Sequence, residues 1–246
     1  LGSIQEVELI TELLTIWESA LGVKDEEFGL LLIGEVNLLG RLSDLVGSRS
    51  LPMVTLVLSI LTKVLKLDPK FKGAFYKCCL EKIESFLSHV EKADFALQAQ
   101  FYQKYLFFLF FFSSHKSLSF INESPLSKLI WILQFLNKKR ILLYSFEFEF
   151  LLCTNALIEL LEEEEESLSF IQYPQAKELL NYCFFNLKNK DFEYKGLIIF
   201  LLNNLSLLFF DEMINLYKKK QIQTIFLECL GHQSLQEEML SFFITL

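Results

Sequence analysis

Tyr105-Leu106-Phe107-Phe108-Leu109-Phe110-Phe111-Phe112-Ser113-Ser114 is followed by Ser117-Leu118-Ser119-Phe120-Ile121, and then by an apolar stretch from Leu126 to Leu136. The same order recurs downstream. Phe150 to Leu161 is followed by Ser167-Leu168-Ser169-Phe170-Ile171, 50 residues after the first copy, and then by Ala176 to Phe185. A third block keeps the order without the shared string: Leu197 to Phe210, Glu212 to Tyr217, Ile222 to Leu230. Each block reads as a long helix, a short helix and a medium helix. A recurring block of this kind marks a helical-repeat stack, in which no unit buries its apolar face alone.

The helical period extends to both sides of these blocks. Near the start, Val7, Ile10, Leu14 and Trp17 recur at three and four residues. Leu9, Leu13 and Ile16 widen that stripe, as expected for a helix packed on two sides. Helices are predicted over 4–20, 26–46, 53–66, 71–91, 94–113, 125–137, 140–163, 175–188, 191–209, 211–217, 221–230 and 233–246. Their breaks have local causes. Leu51-Pro52 and Asp68-Pro69 place a restricted residue before proline. Ser124-Pro125 offers a cap with proline at the first helical position. Gly22, Gly47 and Gly231 serve as stops, and Asp94 and Asp211 as N-caps. Phe146-Glu147-Phe148-Glu149-Phe150 alternates like a strand, but it lies in a breaker-free segment between Ile141 and Leu161 and reads as helix. Links are mostly short, so neighbouring helices are expected to pack antiparallel.

Composition supports a large core. Leu occurs 51 times and Phe 26 times among 246 residues, close to a third of the chain. Disordered, collagen-like and linker sequences are excluded by that richness and by only 9 Gly and 4 Pro. The longest uncharged run, Gly196 to Phe210, spans 15 residues and contains Asn203 and Asn204. At about 1.5 Å per residue it falls short of the ~30 Å hydrocarbon core of a bilayer, so no membrane span is expected. No signal peptide is visible. Leu1, Gly2 and Ser3 read as a cloning scar, which predicts an excised fragment of a longer protein. Residues 4–246 are expected to form one helical-repeat domain.

The net charge is −8, with 31 acidic and 23 basic residues. Only Arg41, Arg49 and Arg140 are arginines, and the basic clusters Lys138-Lys139-Arg140 and Lys218-Lys219-Lys220 sit at helix junctions. Direct nucleic-acid binding is therefore not expected. Glu162 to Glu166, five acids in a row, reads as a solvated helix end or loop. Cys78, Cys79, Cys153, Cys183 and Cys229 form no C-x-x-C pair and lie in apolar helical stretches. They read as free buried thiols of an intracellular protein, in cytoplasm or nucleus.

Leu201-Leu202-Asn203-Asn204-Leu205-Ser206 resembles the "L-x-N-L-S" end of an armadillo third helix, and Phe120 to Ile130 resembles the "I-x-E-x-G-x-x-x-x-L-I" segment that follows it. Pro125 stands where that family often has glycine. The resemblance to armadillo and HEAT-type repeats covers about three armadillo-like units over residues 95–231, with HEAT-like helical pairs over 4–92 and a terminal helix over 233–246. It implies an all-α, armadillo/HEAT-like α-solenoid, a superhelical stack of antiparallel helices that binds proteins. In that family an Asn on the third helix bonds the backbone of an extended peptide. Asn204 matches that position and Asn155 matches it less closely, while the first block has Phe111 near the corresponding place.

No catalytic constellation is found. Asp25, Asp44, Asp68, Asp94, Asp191 and Asp211 are scattered, and His89, His115 and His232 form no H-E-x-x-H or Glu-x-x-His motif. Glu228 and His232 are four apart with Gly231 between them, which reads as a helix end rather than a metal site. No phosphate-binding or nucleophile-elbow motif occurs. The expectation is a non-catalytic scaffold without cofactor or metal, burying a partner helix or extended segment in an apolar groove. Phe108, Phe111, Phe112, Asn155 and Asn204 are the groove candidates. Leu106 to Phe112 has no polar member, so that helix must be covered on every side by neighbours or by a partner. Two alternatives follow from the same apolar excess: a structural subunit of an obligate homo- or hetero-oligomer, and a helical lipid-binding module.

Overall fold

Two central helices, each apolar over most of its circumference, organise the chain. The computed structural model describes residues 4–21, 38–46, 50–67, 81–113, 129–130, 132–134, 140–162, 174–189, 191–208, 213–214, 218 and 220–245. The described residues are all-helical, with turns and no strand. The chain forms two compact units, residues 1–122 and 123–246.

The first unit contains α1 (Ile4–Ala20), α2 (Leu38–Val46), α3 (Leu51–Leu67), α4 (Glu81–Val90) and α5 (Phe95–Ser113). Its centre is α3, which packs against α1, α2 and α5. Val54, Val57, Leu58, Ile60, Leu61, Val64 and Leu65 of α3 are all fully buried. Proline at position 52 is tolerated because it lies in the first turn, where no intrahelical bond needs its missing N–H. Thr62 carries a hydroxyl into this interior and satisfies it within the helix, donating to the Leu58 carbonyl at 2.8 Å. Glu18 fastens α1 to α3: its carboxylate accepts from Ser59, and Lys63 Nζ donates to its backbone carbonyl at 2.6 Å.

Asp94 performs the capping expected of it. Its Oδ1 accepts from the Leu97 N–H at 2.9 Å, three residues on, so α5 begins at Phe95. Buried Gln98 closes the link from α4, with Nε2 donating to the Ala93 carbonyl at 2.7 Å.

The second unit contains α6 (Arg140–Leu143), α7 (Glu147–Glu162), α8 (Pro174–Lys188), α9 (Lys195–Leu208), α10 (Lys220–Leu230), a 3-10 turn (Gln233–Leu235) and α11 (Gln236–Thr245). Here α9 is the centre, packed against α7, α8 and α11. Ring contacts join the outer helices. Phe150 meets Tyr182 edge-on at 5.8 Å, Phe184 lies 6.3 Å from Phe226, and Phe226 meets Phe242 at 5.0 Å. The free thiols of Cys153, Cys183 and Cys229 are buried in this unit, and desolvation pushes all three pKa values up.

Three boundaries differ from expectation, and one of them is the helix predicted over 191–209, which begins at Lys195 after turns over 191–194. The helix over 140–163 is broken at Tyr144-Ser145-Phe146. Ser145 and Phe146 donate to Leu142 and Leu143, three residues back, and the Phe146 carbonyl then accepts the first bond of α7. Phe146 is only 2 % exposed, so its ring is buried at a turn that contains no Gly or Pro. The last predicted helix starts later, because Gln233–Leu235 forms a tight 3-10 turn after Gly231. Both serine-rich strings, the run Glu163 to Glu166, Cys78, Cys79, Ser124-Pro125, Gly22, Gly47, Asp68-Pro69 and Asp211 lie outside the described residues.

Replacing Asp94 by Ala is expected to cost about 1 kcal/mol of stability. The urea midpoint of the variant should fall while its native helical circular dichroism is retained.

Candidate functional site

Most of the candidate side chains lie on α5 and at the α7–α9 contact, in different units. On α5 the uniformly apolar run resolves into two faces. Phe101, Tyr102, Tyr105, Leu106, Phe108 and Leu109 are buried. Phe107, Phe110 and Phe111 are half-buried on the other side. Phe108 is thus a core residue, with no exposed surface. The side chain of Phe112 lies outside the described residues.

The half-buried rings form a corner. Phe107 and Phe111 stand edge to face, with centroids 5.0 Å apart and planes at 87°. Phe110 meets Phe111 at 5.0 Å and 70°. Lys66, on the last turn of α3, places its ammonium 4.8 Å from the Phe107 centroid and 4.5 Å from that of Phe111. Each ring presents its negative face to the cation, worth ~0.5–1 kcal/mol at an exposed position. Desolvation holds the Lys66 pKa below the ordinary lysine value, and the charges of Lys63 and Lys104 lower it further. The corner therefore combines aromatic surface with a local concentration of lysine on an acidic chain. Sequence reading missed Lys66, Phe107 and Phe110. Only the register of α3 against α5 brings the lysine over the rings, and no local motif announces that register.

Asn155 and Asn204 are brought together, 49 positions apart in sequence. Asn155 Nδ2 donates to the Leu151 carbonyl at 3.0 Å and to the Leu197 carbonyl of α9 at 3.4 Å. Asn204 Nδ2 donates to Asn155 Oδ1 at 3.5 Å, a long contact. Both residues are buried, at 4 % and 7 % exposed. Their amides thus join α7 to α9 inside the second unit, and an extended peptide would have to displace these bonds to use them.

A second buried polar pair was not expected. In the alternating segment, Phe146 and Phe150 are buried, Phe148 is exposed, and Glu147 turns inward. The Tyr182 hydroxyl donates to Glu147 Oε1 at 2.5 Å. Burial raises the Glu147 pKa, and the bond from Tyr182 partly opposes that rise. Burial and the Glu147 carboxylate both push the Tyr182 phenol up.

Glu228 and His232 are exposed on either side of Gly231, where α10 ends. Among the described residues, no group of three or more His, Cys, Asp or Glu is placed to hold a metal ion, and no helix is long and apolar enough to cross a membrane. No protein-family model matches the chain, and no curated protein or solved structure matches it.

Two outcomes follow from these geometries. Asn155→Ala should lower stability by about 1–3 kcal/mol by leaving buried partners unpaired. A double-mutant cycle with Asn204→Ala should show coupling between the two sites. For Glu147, the raised native pKa means that its contribution is fully present below the ordinary carboxyl range. It is lost as pH rises through the elevated native value. From about pH 4 upward, the thermal midpoint of the wild type should fall relative to that of Glu147→Gln, which does not ionise.

Proposed function

We propose that this chain is a non-catalytic protein-interaction scaffold, built as an armadillo/HEAT-like α-solenoid, that buries a partner helix or extended segment on apolar helical surface. The aromatic corner of Phe107, Phe110 and Phe111 under Lys66 is the observation that carries the reading. It is the part of the apolar run Leu106 to Phe111 that is left half-covered among the described residues. Large rings that need few fixed torsions, beside a cation, have the composition of interface anchors. Phe111 is the candidate retained at the surface. Phe108, Asn155 and Asn204 then support the scaffold from within. The repeated helical order and the armadillo resemblance favour the solenoid, and the buried free thiols favour an intracellular site of action, in cytoplasm or nucleus.

A second reading, a subunit of an obligate assembly, draws on a separate observation. Tyr144, Phe185, Leu227 and Leu240 in the second unit are each more than half exposed, and permanent interfaces are rich in such residues. Sedimentation over a wide concentration range separates the two: the scaffold remains a monomer, and the obligate subunit self-associates or requires a sister chain.

Affinity purification of the full-length protein from its native cell tests the scaffold directly. Phe111→Ala and Lys66→Ala should each lose the same set of captured proteins while their circular dichroism stays unchanged. Capture identical to wild type by both variants would remove the corner from the interface.

A further inference from the structure

The first helix shows two apolar faces, and the structure covers one of them. Leu14 and Leu21 are buried, Ile10 and Trp17 are half-buried, and this side packs on α3. The second face is open: Leu9 is 67 % exposed, Leu13 42 % and Ile16 62 %. Their spacing of four and three residues forms a continuous seam along the helix, with half-buried Ala20 extending it by a turn. Isolated exposed leucines are ordinary on protein surfaces, but an aligned seam is the pattern of a helix that has a partner.

The polar groups around the seam make two further points. Thr15 Oγ1 donates to the Thr11 carbonyl and Ser19 Oγ to the Thr15 carbonyl, each at 2.9 Å. These hydroxyls are satisfied within α1 and would ask nothing of a covering surface. The charge beside the seam has one sign. At 3.6 residues per turn, Glu12 and then Glu8 follow the seam on its solvent side, and both are exposed. No Lys, Arg or His occurs anywhere in α1, and Glu18 is engaged on the opposite side by Ser59 and Lys63. A second copy packed through this seam would bring further carboxylates and no cation to the contact, so the acids beside the seam would repel without a partner charge. An anionic membrane surface would meet the same repulsion.

We infer that the Leu9–Leu13–Ile16 seam of α1 is a docking surface for an amphipathic helix of a partner protein whose apolar stripe is flanked by lysine or arginine. The partner's stripe packs along the seam, and its cations pair with Glu8 and Glu12 at the rim, where they set orientation and exclude acidic helices. This inference rests on the scaffold reading and adds a partner class to it, on a surface separate from the aromatic corner.

The test uses the whole chain and two fluorescein-labelled model peptides. Both are amphipathic helices about five turns long with the same leucine stripe; one has lysine flanks and the other glutamate flanks. Fluorescence anisotropy should show binding of the lysine-flanked peptide alone, weakening as salt is raised. Leu13→Glu and Ile16→Glu should each weaken it about tenfold or more. Phe200→Glu, at an exposed apolar residue of the other unit, should leave it unchanged, and circular dichroism should match wild type throughout. Binding of neither peptide, equal binding of both, or binding indifferent to the α1 variants overturns the assignment. So does sedimentation showing a dimer that Leu13→Glu dissociates, which would give the seam to a second copy. If the peptides fail while partner capture still depends on Phe111, the scaffold reading stands and the α1 partner falls.

Discussion

A helix that is apolar over most of its circumference has to be covered over most of its circumference. That requirement shapes both units. In the first, α3 meets it with α1, α2 and α5 on different sides. In the second, α9 meets it with α7, α8 and α11. The outer helices are placed by the need to cover the central one, and ring contacts such as Phe226 on Phe242 then lock outer helices to each other. Hydroxyls inside these helices do not disturb the arrangement. Thr62 and Thr154 are buried, and each returns its proton to the carbonyl four residues back. The buried amides of Asn155 and Asn204 cannot close on themselves so completely, and they are found where two helices meet.

Covering is incomplete at the outer helices, and that is where apolar surface is left. On α5, burial of one face leaves Phe107, Phe110 and Phe111 half-covered, with Lys66 reaching over them from α3. On α1, the side away from α3 is left as an aliphatic seam with acids beside it. The two surfaces differ in kind. The corner joins aromatic rings to local positive charge, and the seam joins aliphatic side chains to negative charge. Partners suited to one are poorly suited to the other, so charge sorts what each apolar surface can accept.

Much of the helical organisation was legible in the sequence. The period of Val7, Ile10, Leu14 and Trp17 marked α1, and the cap at Asp94 marked the start of α5 within a residue. The widening of the first stripe by Leu9, Leu13 and Ile16 pointed to a helix packed on two sides, but the structure leaves all three side chains exposed. The turn at Tyr144-Ser145-Phe146 was not legible. Local residue types there carry no stop, and the break coincides with burial of the Phe146 ring. The inward turn of Glu147 was hidden as well, since its partner Tyr182 is 35 positions away.

The candidate site shows the same limit more sharply. Seven consecutive apolar residues from Leu106 to Phe112 look alike to any measure of hydropathy. Periodicity alone identifies a face only when polar residues mark its edges, and this run has none. What separates Phe108 from Phe111 is tertiary packing, which buries the first fully and sets Lys66 of α3 above the second. The asparagines show the complementary case. The family motif singled out Asn204 and, less closely, Asn155 as groove candidates, and the structure buries both and brings them together. Their direction, into the contact between α7 and α9, depends on how the helices are rotated about their axes. A motif can single out such residues. Which way they face is decided by the helix they are called on to cover.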